Sequence, residues 1–264
     1  MSYRYLVNAV SHIGEILHST DEYYFADGLT SLNDGMSQNS RIRQLCKGRR
    51  HIFSVFSTNS NAETICRRLR SALGKQIFEK IRVKVQYNIR ELMKEISGGI
   101  GKVCADADMS VIFIESGIVY ACGYGDVNLY KYTAETGEAE RITFPVVSEE
   151  SQEMATNDNQ ILPENSEIPT FVRFVSKVSE GDEYLVLGSA LADSVGEDVI
   201  TEIFRVNRKN PIDEIVNAAC DAGNLFTLTA SRITVIKHML SVYLWCGAGV
   251  LLILLLTVIF IFLI

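Results

Sequence analysis

The chain has 264 residues, a net charge of −7 at pH 7 and a hydrophobic fraction of 47%. This length allows one large domain or two small ones, and the hydrophobic fraction is ordinary for a globular protein. The acidic balance disfavours nucleic acid as a partner, because nucleic-acid-binding surfaces are basic. The cysteines are scattered, with no CxxC pair and no histidine at metal-ligand spacing. They therefore predict reduced thiols on a cytosolic face, without a disulfide framework or a structural zinc.

The first part of the chain predicts strands followed by helices, because short β-branched and aromatic runs give way to apolar residues at intervals of three and four. The predicted elements are strands at 3–10, 23–25 and 50–57 and helices at 61–73 and 75–96. The third strand alternates, which predicts two distinct faces. One face carries Ile52, Ser54 and Phe56, and the other carries Phe53, Val55 and Ser57. Turn residues are predicted at 11–14, and the polar stretch 27–49 predicts a loop.

The middle of the chain predicts an antiparallel meander that leads into an acidic loop. The three predicted strands lie at 109–115, 118–122 and 127–132. Ser116-Gly117 predicts a two-residue hairpin turn between the first two strands. Acidic residues and three prolines dominate 133–170, which predicts a solvated loop on a single domain.

The last part of the soluble region predicts strands at 171–178, 184–187 and 233–236 and helices at 195–205 and 211–222. The second of these helices has a proline at its start and a glycine just beyond its end, as helix termini favour. The complete order of elements is typical of an α+β layered sandwich in which helices pack on antiparallel sheets.

The chain ends in an apolar stretch, 241–264, that contains neither a charged residue nor a proline. As a helix it would be roughly 36 Å long, enough to cross a hydrocarbon core of about 30 Å. Arg232, Lys237 and His238 lie on its N-terminal side, and flanking positive charge predicts a cytoplasmic domain. We therefore expect a domain at 1–237 and a single-pass transmembrane tail anchor at 238–264, with the lipid bilayer as a partner.

Two further features of the tail concern its surroundings. His238, Tyr243 and Trp245 lie near the expected membrane boundary and fit an interfacial belt. The small residues at 246–249 could let two tail helices approach closely and form a homodimer. The alternative interpretation is that these small residues only face lipid.

Five segments, taken in order, carry a resemblance to a known family. They are 10–14 with 21–24, 52–57, 118–130 around Gly125-Asp126, 181–189, and 231–236. These segments resemble motifs of the metal-dependent serine/threonine phosphatases of the PP2C (PPM) type. The resemblance covers roughly 1–237. It implies an α-β-β-α sandwich, in which two antiparallel sheets are flanked by helix pairs.

The resemblance also implies a pair of divalent metals, held by aspartates, that activates a water molecule for attack on a phosphoryl group. At three of those aspartate positions this chain has Ser57, Ala190 and Ser231, and the family's phosphate-binding arginine falls on Leu17. A hydroxyl or a methyl group cannot replace a bridging carboxylate. The resemblance therefore predicts that the metal pair and its hydrolytic activity are lost, and that no cofactor is bound.

Acidic residues remain at four positions that match acidic positions of the family, namely Asp21, Glu22, Asp126 and Asp193. By the resemblance, the first two correspond to carboxylates that act through water, and the last two to positions of a weaker additional metal. The leading expectation is a catalytically inactive, tail-anchored pseudophosphatase that binds a membrane-associated protein or a phosphoprotein in signalling. One alternative is a divergent phosphatase that recruits Mn²⁺ or Mg²⁺ through these four acids. Another is a membrane scaffold that uses the acidic loop 133–170.

Two other interpretations concern single residues. His51 lies within a predicted strand, and we expect it to have a structural role. Asp126 and Asp182 each follow a glycine and are interpreted as turn residues. Asp27 and Asp34 are too distant to replace the missing metal ligands without a rearranged loop.

Overall fold

The structure is a computed structural model that describes residues 3–12, 21–34, 40–58, 62–74, 108–115, 117–124, 126–142, 174–224 and 226–237. The strands are β1 (Tyr3–His12), β2 (Asp21–Ala26), β3 (Leu29–Thr30), β4 (Ser40–Cys46), β5 (Arg50–Thr58), β6 (Met109–Glu115), β7 (Ile118–Tyr124), β8 (Asn128–Thr133), β9 (Glu138–Arg141), β10 (Phe174–Lys177), β11 (Glu183–Leu187) and β12 (Leu228–Lys237). The helices of these ranges are α1 (Ala62–Gly74), α2 (Ser189–Val195), α3 (Glu197–Val206) and α4 (Pro211–Asp221), with a 3₁₀ turn at Ser31–Asp34.

The strands form two six-stranded sheets, in which the first has the order β4-β1-β12-β11-β8-β9 and the second has the order β10-β7-β6-β5-β2-β3. Neighbouring strands pair antiparallel in both sheets. At the centre of the first sheet, β1 and β12 pair from Tyr3↔Lys237 to His12↔Leu228. The two ends of the domain are therefore adjacent strands.

The alternation of side chains divides the hydrophobic residues into three layers. The layer between the sheets contains Val7 and Ile233 of the first sheet and Phe53 and Val55 of the second. On the outer face of the second sheet, Ile52 packs with residues of α1. The outer face of the first sheet is covered by α2, α3 and α4. The two faces predicted for β5 are confirmed.

A buried ion pair fixes the helical layer on the first sheet. The Arg232 guanidinium on β12 donates to both carboxylate oxygens of Glu183 on β11, at 2.6 and 2.7 Å. It also donates to the backbone oxygens of Arg208 and Lys209, in the connection between α3 and α4. The Arg208 guanidinium itself lies 2.6 Å from Glu183 and 3.4 Å from the centre of the Tyr132 ring.

Several predicted elements are corrected by the structure. The stretch 27–49 is not one loop, because it contains β3, the 3₁₀ turn and β4. As an edge strand, β4 exposes Arg41 and Arg43, and their polarity concealed its strand character. Ser11 and His12 continue β1 instead of forming a turn. The helix α2, which was not predicted, precedes α3 with only Gly196 between them.

The predicted meander is also wrong. The hairpin between β6 and β7 is present, with Glu115 opposite Ile118, but β8 leaves that sheet and pairs with β11 and β9 in the other one. The turn residues between β7 and β8 predict only that the chain changes direction. They do not distinguish a hairpin within one sheet from a crossover to the other sheet, which the packing of the two sheets decides. Part of the acidic stretch is β9, which forms a hairpin with β8.

Some predictions concern residues outside the described ranges, namely the helix at 75–96, the acidic residues from 143 to 173 and Leu17. Within the described ranges, no helix has the length and the apolar character needed to span a bilayer. The predicted tail helix at 241–264, together with His238, Tyr243 and Trp245, lies outside these ranges.

Candidate functional site

The candidate site is built around the carboxylate of Glu22. On β2, Glu22 lies opposite Ser57 of β5, and its side chain is 3% exposed. It shares the inward face of β2 with Tyr24, so its carboxylate points from the second sheet towards the first. There it accepts hydrogen bonds from the backbone N–H groups of Ala190, at 2.9 Å to Oε1, and Thr229, at 3.1 Å to Oε2. One side chain thereby connects β2, β12 and the start of α2.

Gly188 makes room for this carboxylate. A Cβ atom at position 188 would lie 1.9 Å from Oε2 of Glu22 and 2.3 Å from its Cδ, far inside van der Waals contact. The φ of Gly188 is −71°, which any residue can adopt. Glycine is therefore required here for space and not for backbone conformation.

Burial raises the pKa of Glu22 to about 7. The hydrogen bonds from Ala190 and Thr229 lower the pKa by favouring the ionised form, but the loss of hydration outweighs them. The negative charges of Asp108 and Asp193 raise it further. Near neutral pH this carboxyl group is thus poised between its charged and neutral forms.

Of the three positions that the resemblance assigns to metal ligands, Ser57 and Ala190 adjoin this carboxylate directly, and Ser231 lies on the strand that supplies Thr229. Ser57 is the strand partner of Glu22, and its Oγ accepts a hydrogen bond from the Asp108 backbone at 3.4 Å. Ala190 donates its N–H to Glu22. Ser231 lies two residues from Thr229 on the same face of β12. It is 0% exposed, and its Oγ has no hydrogen-bond partner among the described residues.

The charges of two aspartates, Asp108 and Asp193, act on this carboxylate, and a third, Asp126, lies beside them. Asp193 on α2 and Asp126 before β8 are exposed, and Asp108 before β6 is half-buried. Asp108 accepts hydrogen bonds from the Asp126 backbone at 2.9 Å and from Ser189 Oγ at 3.4 Å. Desolvation, followed by the charges of Asp126 and Asp108, raises the pKa of Asp193. The electrostatic coupling indicates that these acids share one region, which we call the acidic mouth (Asp108, Asp126 and Asp193).

Sequence reasoning named Asp126 and Asp193 but missed Asp108. The available signal was a pair of acids, Asp106 and Asp108, directly before the apolar strand β6. Asp126 lies in the connection before β8, as predicted for a turn residue, and its carboxylate accepts a hydrogen bond from Asn128 at 3.2 Å. Asp21 begins β2 opposite Thr58, and its side chain is outside the described part of the structure.

One arginine offsets part of this negative charge. Arg141 on β9 donates to Glu197 at 2.9 Å and to Asn128 at 2.9 Å. Its guanidinium lies 3.7 Å from a carboxylate oxygen of Asp126. Because Arg141 faces both Glu197 and Asp126, the acidic mouth keeps an excess of negative charge.

Comparison with known proteins identifies the fold. No protein-family model and no curated protein matches the chain. Solved structures do match it, with TM-scores above 0.5 but low sequence identity. A serine/threonine phosphatase from S. agalactiae is 12% identical, with a TM-score of 0.56, over 88% of this chain and 99% of that one. The phosphatase domain of SpoIIE from Bacillus subtilis is 10% identical, with a TM-score of 0.58, over 90% and 94%.

A third similar structure is the catalytic domain of the phosphatase PstP in complex with 2 manganese ions. It is 14% identical, with a TM-score of 0.55, over 88% of this chain and 100% of that one. The chain therefore has the fold of the PP2C-type (PPM) serine/threonine phosphatases. The prediction of two antiparallel sheets with helices packed against them is confirmed.

The three positions that the resemblance assigns to metal ligands carry no carboxylates in this chain. These positions offer two hydroxyl groups, of Ser57 and Ser231, and the methyl group of Ala190. The absence of a cofactor nevertheless stays a prediction. Elsewhere in the described residues, Asp27, Cys46 and His51 bring three potential ligand atoms within 4.8 Å of one another. Sequence reasoning had placed no histidine and cysteine together.

Proposed function

We propose that the chain is a tail-anchored PP2C-like domain without hydrolytic activity, which acts as a binding or regulatory module in phosphorylation signalling. The observation that carries this proposal is the environment of Glu22. Beside this carboxylate, the positions that the resemblance assigns to metal ligands carry Ser57, Ala190 and Ser231. A methyl group offers no ligand atom, and a hydroxyl group lacks the charge with which a carboxylate holds a divalent metal. Without a metal to activate water, the fold retains a surface for binding but loses the family's means of hydrolysis.

The charge of the acidic mouth supports a particular kind of partner. With Asp108, Asp126 and Asp193 near one another and Arg141 already facing Glu197, the local field repels a phosphate dianion. A segment of a membrane-associated protein that carries lysine or arginine is electrostatically complementary to this region. We therefore favour a basic segment over a phosphorylated one, and we expect its binding to weaken at high ionic strength.

A second candidate function is a divergent metal-dependent phosphatase. The observation that favours it is the acidic mouth itself. Desolvation, followed by the charges of Asp126 and Asp108, raises the pKa of Asp193, and a bound Mn²⁺ or Mg²⁺ would relieve the repulsion among these carboxylates. Oxygen ligands of this kind suit both ions. This alternative requires the three aspartates to replace the ligands missing at Ser57, Ala190 and Ser231.

An activity assay separates the two candidates. The full chain, purified in a non-ionic detergent, would be incubated with p-nitrophenyl phosphate and with a phosphopeptide, each with Mn²⁺ or Mg²⁺. We expect no metal-dependent hydrolysis above the rate in buffer. Mn²⁺-dependent turnover that disappears in Asp126→Asn would overturn the proposal. The matched control is Glu202→Gln, which removes an exposed acid on α3 that pairs with Arg205.

The membrane anchor is tested independently of the activity. The full chain and a chain ending at Lys237 would be produced in cells, and the membranes would be extracted with alkaline carbonate. We expect the full chain to stay in the membrane pellet and the shortened chain to be released, since the residues 241–264 would then be absent. Release of the full chain would contradict the anchor but would leave the proposal on hydrolysis untouched.

A further inference from the structure

A second cluster of reactive side chains lies away from the acidic mouth. Asp27 is in the turn between β2 and β3, Cys46 ends β4, and His51 is the second residue of β5. Their ligand atoms all lie within 4.8 Å of one another, and Nδ1 of His51 is 2.9 Å from Oδ2 of Asp27. Cys46 and His51 are 2% and 1% exposed.

The cluster lies at the opposite end of the sandwich from Glu22. On β5, His51 precedes Ser57 by six residues, a separation of roughly 20 Å along an extended strand. It also joins the two sheets, because β4 is the edge of the first sheet whereas β2 and β5 belong to the second. Neither the acidic mouth nor the family's metal positions include any of the three residues.

The surroundings of the cluster are largely aromatic. The His51 ring lies 4.9 Å from the Tyr5 ring and 6.1 Å from the Phe53 ring, measured between centroids. Nε2 of His51 is buried and has no hydrogen-bond partner among the described residues. Histidines that serve only as hydrogen-bonding residues in a core normally satisfy both nitrogens. Among the described residues, the polar contact of this ring is therefore the one between Nδ1 and Asp27.

The backbone of Asp27 is unusual as well. Its φ is 52°, and it is the one non-glycine residue with positive φ among the described residues. This left-handed conformation is disfavoured for residues with a side chain, although aspartate tolerates it better than most. The Asp27 N–H donates to the carbonyl of Ile52 at 2.9 Å. The turn thus holds the carboxylate beside His51.

We propose that Asp27, Cys46 and His51 bind a Zn²⁺ ion that links the two sheets at this end of the domain. Thiolate, imidazole and carboxylate are all established zinc ligands, and three protein ligands leave a fourth position for water or another donor. The thiolate and the carboxylate together balance the charge of the ion, so the occupied site is neutral in its apolar surroundings. Binding displaces the proton of the thiol to solvent.

A competing explanation is a hydrogen-bonded network of the same three side chains without a metal. The two explanations differ in one spectroscopic property, because only a metal site creates a metal–thiolate bond. Co²⁺ is a suitable probe, since it takes tetrahedral zinc sites and its thiolate complexes absorb in the near ultraviolet. Its d–d bands in the visible region also report tetrahedral coordination.

The test uses the full chain in a non-ionic detergent, stripped with a chelator and titrated with Co²⁺. We expect a thiolate-to-Co²⁺ band that saturates at one metal per chain and is abolished by Zn²⁺. Cys46→Ser should remove the band, and Asp27→Asn should weaken Co²⁺ binding by at least about 10-fold. The matched control is Cys66→Ser, which alters a buried thiol of α1 outside the cluster and should leave the band unchanged.

Three results would overturn the proposal: no thiolate band in the wild-type chain, a band that persists in Cys46→Ser, or a band that is lost in Cys66→Ser. Should Cys46→Ser fail to fold, the wild-type titration together with His51→Gln still decides the question. A second readout is thermal unfolding followed by circular dichroism. At the same Zn²⁺ concentration, the melting temperature of the wild-type chain and of Cys66→Ser should rise by more than that of Asp27→Asn, because a ligand stabilises the folded state in proportion to how tightly it binds.

Discussion

The raised pKa of Glu22 predicts that the domain becomes less stable as the pH rises through neutrality. The group has a pKa of about 7 in the folded protein, compared with 4.5 without the environment of the fold. Because the folded state holds this proton more tightly than the unfolded chain does, the stabilisation is fully present below the unfolded pKa. It is lost progressively as the pH approaches and passes the folded value.

The magnitude follows from the size of the shift. A difference of about 2.5 pKa units at 1.36 kcal/mol per unit corresponds to about 3 kcal/mol of unfolding free energy. This contribution should be present near pH 4.5, fall between about pH 5 and pH 7, and be absent above about pH 8. For a domain of ordinary stability this is a large fraction of the total.

The perturbation is Glu22→Gln, and the assay is urea-induced unfolding of the full chain followed by far-ultraviolet circular dichroism. We expect the free energy of unfolding of the wild-type chain to decrease from about pH 5 to about pH 8.5 by up to about 3 kcal/mol more than that of Glu22→Gln. The difference between the two chains isolates Glu22 from histidines that titrate in the same range. Glutamine also places an amide NH₂ opposite one of the two backbone N–H groups. The free energy of unfolding of Glu22→Gln should therefore be lower than that of the wild-type chain.

Glu202→Gln changes an exposed acid on α3 and should keep the pH dependence of the wild-type chain. Equal pH dependence in the wild-type chain and in Glu22→Gln would refute the reasoning, because the buried carboxyl group would then titrate as it does in the unfolded chain.

Three further substitutions follow from the same structure. Gly188→Ala should reduce the free energy of unfolding by about 1–3 kcal/mol through overpacking. The loss should be clearly smaller in a Glu22→Ala background, because the added Cβ clashes with the Glu22 carboxylate. Equal losses in both backgrounds would contradict this origin. Glu183→Gln, which leaves two arginines without their buried counter-charge, should reduce it by about 3–5 kcal/mol, measured by urea unfolding. Ser231→Ala should be neutral or stabilising by up to about 1 kcal/mol in the same assay, because the Oγ that it removes is buried without a partner among the described residues. A loss of more than about 2 kcal/mol in the free energy of unfolding would indicate a hydrogen bond that the described residues do not provide.

Local patterns were sufficient for much of the fold. The alternation in β5 predicted which of its residues share a face, and Ser116-Gly117 predicted the hairpin that brings Glu115 opposite Ile118. Both features depend on residues close together in the sequence, where side-chain periodicity and turn geometry act directly. The pattern of β4 was less informative, because an edge strand with exposed arginines carries little hydrophobic signal.

The sequence by itself determined which residues are available at the positions that the resemblance assigns to metal ligands, since the identities of Ser57, Ala190 and Ser231 do not depend on how the chain folds. Tertiary structure alone decided what surrounds them. It brings the N–H groups of Ala190 and Thr229 to a carboxylate more than 160 residues earlier in the chain, and it places Cys46 and His51 beside Asp27. These contacts depend on how two sheets stack and on which sheet each strand joins. Local propensity carries no information about either, because long-range packing of the whole domain selects them.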